Sequence, residues 1–123
     1  MTPYLQLHTT VAHRDDAERL ARAALGEQLA ACVQIAGPVH SWYHWKGALQ
    51  NAEEYTLTFK TRKDLLDALI DLLRRQHPYE VPEILATPVL EGGATYLAWL
   101  EQELLPAGNL RKRTKRLWPT VPR

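Results

Sequence analysis

The sequence predicts an α+β domain whose elements run strand, helix, strand, strand, helix, strand. Three observations carry that prediction. Two segments repeat leucine and alanine at three- and four-residue steps, the mark of an amphipathic helix, and each lies between segments of alternating β-branched and aromatic residues. The two middle strand segments meet at Lys46-Gly47, a turn signal that joins them as a hairpin. A length of 123 residues with 46% hydrophobic content suits a single core.

Tyr4 to Val11 alternates roughly and reads as the first strand. Asp15 and Asp16 are cap-type residues ahead of Leu20, Ala21, Ala24, Leu25 and Leu29, which predict a helix ending near Leu29 despite Gly26. Ala31 to Ile35 and Val39 to Trp45 form one long strand with a bend or bulge at Gly37-Pro38, because proline is tolerated mainly at edges and bulges. Glu53 to Thr61 returns as the third strand. Asp64 and Asp67 open a second helix with a broad leucine face, Leu65 to Leu73, and Arg74 and Arg75 suit its negative end.

Between that helix and the next strand stands His77-Pro78-Tyr79-Glu80-Val81-Pro82-Glu83. Proline has no N–H, fixes its own φ and biases its predecessor away from the helical region, so His77 should end the helix and Val81 should be extended. Ile84 to Leu90 predicts a fourth strand interrupted by Pro88. After Gly92-Gly93, residues 94–105 form a third helix with Tyr96, Leu97 and Leu100 inward. This order is the split β-α-β arrangement of ferredoxin-like sandwiches, with both main helices on one face of an antiparallel sheet and a helix added at the C-terminal end. The other face is expected to be apolar and exposed, edged by Trp42, Tyr43, Trp45 and Tyr55, and therefore to serve subunit association.

No apolar run reaches the roughly 18 residues that span a bilayer, so no membrane role is expected and a cytoplasmic location is. Cys32 is the only cysteine, which rules out an internal disulfide and fits a reducing compartment. Residues 1–105 are the expected domain. Residues 106–123 form a basic tail: Arg111, Lys112, Arg113, Lys115, Arg116 and Arg123 lie in it with no acid, whereas all 14 Asp and Glu precede it. So short a run reads as solvated, with nucleic-acid contact the minor alternative. There is no phosphate loop, H-E-x-x-H motif or nucleophile elbow, and Ser41 is the only serine; no catalysis is expected.

Five motifs occur in one order at compatible spacings: Leu29-Ala30-Ala31-Cys32-Val33, Trp42-Tyr43-His44-Trp45-Lys46-Gly47, Lys60-Thr61, the segment from His77 to Glu83, and Tyr96-Leu97-Ala98-Trp99-Leu100. Over roughly residues 4 to 104 the chain resembles CutA-type divalent-cation-tolerance proteins. The resemblance implies a ferredoxin-like subunit, a trimer with strands joined across subunits, a cytosolic location in bacteria, and binding of divalent metal, copper above all, held weakly or optionally. No reaction attaches to the family, and animal relatives are associated with acetylcholinesterase anchoring. Some members carry a metal-binding cysteine at the end of the first strand, where this chain has His8-Thr9-Thr10, so His8 stands as the substitute ligand with a harder donor.

His77 and Glu83 are therefore the first candidate metal ligands, with His8 as the third. Residue chemistry alone favours a simpler role for His77, ending the helix, with Glu80 solvated and Glu83 paired to an arginine. Cys32 reads as a small buried hydrophobe before a reactive thiol. His13, His40 and His44 are scattered, and the His40/His44 pair on one strand face reads as exposed hairpin before metal site. Trp42, Tyr43 and Trp45 serve either intersubunit packing or a cleft, and Lys60, Tyr79 and Glu80 complete the candidate pocket or interface. The competing function is a trimeric small-molecule-sensing or protein-interaction module with ligand clefts between subunits.

Overall fold

The computed structural model describes residues 1–108; of the basic tail, nearly all lies outside the described residues. Its strands are β1 (Tyr4–Val11), β2 (Cys32–Trp45), β3 (Ala48–Arg62) and β4 (Leu85–Pro88). The helices are α1 (Arg14–Gly26), α2 (Leu66–Gln76) and α3 (Ala94–Glu103), with a 3₁₀ turn at Lys63–Leu65. All pairing is antiparallel in the order β2-β3-β1-β4, so the expected ferredoxin-like α+β sandwich is the observed fold.

Alternation decides what each strand buries. Leu7 and Val11 on β1, with Leu57 and Phe59 on β3, face Ala17, Leu20 and Ala24 of α1 and Leu69, Leu72 and Leu73 of α2; all are fully buried. The intervening residues Gln6, His8, Thr56, Thr58 and Lys60 lie on the open face, where the Lys60 ammonium donates to Gln34 Oε1 at 2.8 Å. The open face is thus polar over the sheet body, which corrects the expectation of an apolar one. The large apolar side chains instead stand out on the hairpin beyond the sheet body: Trp42 is 66% exposed and Leu49 65%.

That displacement comes from the bulge at Gly37-Pro38. The register shifts between Ala36, opposite Thr56, and Val39, opposite Glu54, so β2 carries one residue more than β3. Gly37 has φ 135, and a Cβ there would lie 2.9 Å from the Glu54 carbonyl oxygen, so the close approach of the strands demands glycine. Beyond it, residues 39–54 form a two-stranded arm closed by Lys46 (φ 51) and Gly47 (φ 80), the paired positive φ values of a tight two-residue hairpin turn.

Helix ends depart from expectation for local reasons. α1 stops at Gly26: Gln28 takes φ 56, its N–H bonds the Leu25 carbonyl, and the Leu29 N–H bonds the Ala24 carbonyl. This is a Schellman ending, made favourable by the full burial of Leu29. Asp15 and Asp16 sit in the first turn without capping it, and Asp64 pairs with Arg62 instead of capping α2. Arg62, buried, also bonds Glu101 Oε2 at 3.0 Å and the Leu105 carbonyl at 2.7 Å, while Tyr4 Oη donates to Glu101 Oε1 at 2.7 Å. This clamp fixes α3 across the end of the sheet. There Leu100 is buried and Leu97 packs on Gly92, but Tyr96 is exposed, contrary to expectation.

Candidate functional site

His77 ends α2 in extended conformation, as its following proline requires, and its amide N–H bonds the Leu73 carbonyl at 2.7 Å. Its ring is 8% exposed. Nδ1 accepts the Tyr79 amide N–H at 3.1 Å, so the proton sits on Nε2, which lies 3.0 Å from Thr9 Oγ1. Burial pushes the imidazole pKa below its usual value, outweighing the Thr10 backbone hydrogen bond and the acidic neighbours Asp16 and Glu54 that act the other way. His77 is thus a neutral tie between the turn and β1, both nitrogens engaged.

From this tie residues 78–83 pass around the end of β1. Tyr79 donates its hydroxyl to Glu54 Oε2 at 2.6 Å. Desolvation first, then the hydrogen bond to Glu54, push the phenol pKa far above its ordinary value, so Tyr79 remains a donor. Glu54 is itself only 8% exposed. Turn and arm together enclose an open cavity of about 1200 Å³. Trp42, Tyr43 and Trp45 line it from the arm; Tyr79, Glu80 and Glu83 line it from the turn, with Thr10 and Glu54 between. The Lys46 ammonium, also at the cavity, stands 5.9 Å from the Trp45 ring centroid.

The structure therefore gathers Trp42, Tyr43, His44, Trp45, Tyr79, Glu80 and Glu83 at one place and leaves the other candidates elsewhere. His77 lies behind Tyr79, outside the cavity lining. His8 is on the open face, since its neighbour Thr9 reaches His77 on the helix side; its Nδ1 lies 3.3 Å from Thr58 Oγ1 and its Nε2 3.1 Å from Thr87 Oγ1. Within one chain His8 cannot complete a site with His77. Cys32 is half-buried on the open face opposite Lys60, which corrects its reading as a core residue. His40 is exposed on the arm near Glu53, and His44 lines the cavity. Among the described residues, no three or more His, Cys, Asp or Glu side chains are grouped to hold a metal. A resident metal thus does not fit one chain alone.

Glu54 is the cavity residue that the sequence conceals. It reads there as half of an ordinary Glu53-Glu54 pair in an exposed strand. Alternation along β3 puts it on the same face as Thr56, and it is the Tyr79 hydroxyl, distant in sequence, that engages it.

A family model described as CutA1 divalent ion tolerance protein matches residues 5–103. The chain is 40% identical over 99 residues to the chloroplastic protein CutA 1 of rice, covering 80% of this chain and 56% of that one. It is 43% identical over 89 residues to a divalent-cation tolerance protein CutA of Yersinia pestis, covering 72% of this chain and 75% of the relative. The chain spans a little over half the length of the plant relatives that it matches. Among solved structures, CutA from Synechococcus elongatus superposes with a TM-score of 0.82 at 39% identity, over 85% of this chain and 93% of that one. The sequence motifs, the sandwich topology and these matches agree: the chain belongs to the CutA1 divalent ion tolerance family.

Proposed function

We propose that the protein is a homotrimeric, cytoplasmic, non-catalytic divalent-cation-binding protein that takes part in metal-ion tolerance, with copper the preferred metal. The observation that carries this reading is the match to a family described by divalent ion tolerance, in a chain whose cavity is lined in part by Glu54, Glu80 and Glu83. Since one chain lacks a full ligand set, a second copy supplies the missing donors. Glu83 is the ligand from the turn; His77 would join only by exchanging its Tyr79 bond for the metal, and His8 offers an imidazole on the open face. Imidazole donors favour copper over harder cations. The exposed aromatic arm and the unpaired edge of β2 support association of subunits. No helix among the described residues is long and apolar enough to cross a membrane.

Calorimetric titration of Cu(II) and Zn(II) into the wild type, Glu83→Gln, His8→Ala and His77→Ala tests the ligands; a variant whose isotherms match the wild type loses its place in the site. Light scattering should give three times the 14.1 kDa chain mass, and a monomer at micromolar concentration would refute the trimer. A second reading, a small-molecule-sensing module, is favoured by the cavity itself, which is far larger than a metal ion needs.

A further inference from the structure

Helix α3 carries a face that the body leaves uncovered. Tyr96 and Trp99 stand three residues apart with their ring centroids 5.7 Å from each other, yet they are 44% and 40% exposed. Glu103 continues the same stripe one turn on. A carboxylate in the last turn meets the negative end of the helix dipole, and that turn holds no cation of its own. Glu101 is answered by Arg62, but no ion pair among the described residues engages Glu103. The segment from Glu83 to Gly108 contains no Lys, Arg or His. This face also lies apart from the arm: α3 crosses the sheet at the end where Tyr4 pairs with Arg62, whereas the arm departs from the end where Val11 pairs with Tyr55.

Chain order supplies the complement. Leu105 is fixed just past α3 by its N–H on the Gln28 carbonyl at 2.9 Å and by Arg62 on its own carbonyl. A turn at Ala107-Gly108, with Gly108 at φ 97, follows at once. Beyond it the sequence runs through Arg111, Lys112, Arg113, Lys115 and Arg116 to Leu117-Trp118, with no acid. Read back from its C-terminal end, α3 offers Glu103 and then Trp99 and Tyr96. Charge therefore comes first on both segments, with opposite sign, and aromatic residues come second. Length sets no obstacle: Trp99 lies about 6 Å along the helix from Glu103, and residues 109–118 reach about 33 Å when extended.

From these we infer that residues 109–118 dock on the face formed by Tyr96, Trp99 and Glu103 of their own chain, the cations meeting Glu103 and Leu117-Trp118 covering the exposed rings. The tether holds the segment at millimolar effective concentration, so contacts too weak to capture a separate peptide suffice. The inference is independent of the metal reading, since it uses no residue proposed as a ligand.

The test follows the tryptophan indole N–H resonances of the full-length chain, that of Trp99 being assigned with Trp99→Phe. A second full-length chain has Arg111, Lys112, Arg113, Lys115 and Arg116 all replaced by Gln. The Trp99 resonance is expected to differ between the two by more than its linewidth, with those of Trp42 and Trp45 unmoved. Cleavage of the tail by trypsin, read by mass spectrometry, is expected to quicken by about threefold or more when Glu103→Gln and Trp99→Leu are combined. Matching thermal melts establish that this variant is folded; should it not fold, Glu103→Gln alone serves in its place. A Trp99 resonance indifferent to the tail charges, or cleavage equal in wild type and variant, overturns the proposal. A resonance indifferent to those charges that moves on dilution overturns it in favour of a second copy as the occupant. Co-refolding the isotope-labelled Gln-substituted chain with unlabelled wild type separates the two sources of the tail. A labelled Trp99 that keeps its position supports docking within one chain, and one that moves to the wild-type position overturns it in favour of a neighbour's tail.

Discussion

Strands β2 and β3 each pass through two environments, and the contrast separates what the molecule uses to fold from what it uses to act. On the sheet body their helix-facing residues, Leu57 and Phe59 among them, are fully buried, while the open face is satisfied by threonine, glutamine and lysine. Beyond the bulge the same two strands carry Trp42, Tyr43, Trp45 and Leu49 into solvent. The chain thus keeps enough leucine and phenylalanine in its core and places its largest aromatics where they contribute little to that core. Apolar surface left exposed in this concentration is available to a ligand or to another subunit.

Substitutions in the two regions should differ accordingly. Phe59→Ala removes a fully buried ring and should cost about 3–5 kcal/mol in denaturant-induced unfolding; a loss under about 1 kcal/mol would break the distinction. Tyr79→Phe, at the junction of body and arm, removes the donor from a buried carboxylate and should cost about 1–3 kcal/mol. It should also loosen residues 78–83, seen as faster amide exchange there.

Acid should act at the same junction. His77 is neutral and its pKa is lowered by burial, so between an unfolded value of about 6.5 and the lower folded one only the unfolded chain takes up the proton. Stability is therefore full above that value and falls as pH drops through it. The Thr10 backbone hydrogen bond and the charges of Asp16, Arg19 and Glu54 set the remainder of the shift. Comparing urea midpoints at pH 7.5 and 5.5 for wild type and His77→Gln should show a larger acid loss in the wild type. Trp42→Ala should have the smallest effect on the fold, within about 0.5 kcal/mol, while weakening self-association measured by light scattering.

The body was far more legible in the sequence than the site. Leucine spacing in α1 and α2 and alternation in β1 and β3 repeat over many residues, so local pattern and tertiary burial agree. Gly37-Pro38 announced the bulge because few other positions in a strand accept that pair. The end of α1 was misread because Gln28, not a glycine, adopts the left-handed conformation, drawn there by the burial of Leu29. Tyr96 was placed inward by helical spacing, yet α3 lies across the end of the sheet under the Arg62 clamp and only its Leu100 side reaches the core.

The site depends on separations that no window shows. Glu54 is 25 residues from Tyr79 in the chain, and Thr9 is 68 from His77. The two-proline turn ends α2 at an extended His77 as expected, but that histidine proves to be a tie to β1, while the carboxylate that Tyr79 meets lies on another strand.

The single extra residue at Gly37-Pro38 also fixes the parity of everything distal to it. With it, Ser41, Tyr43 and Trp45 fall in the row that contains Val39 and its partner Glu54. Simple alternation carried on from Gln34 and Ala36 would instead assign His40, Trp42 and His44 to that side. The extra residue is thus the reason that a hydroxyl, a phenol and an indole, and not two imidazoles, share a face with Glu54.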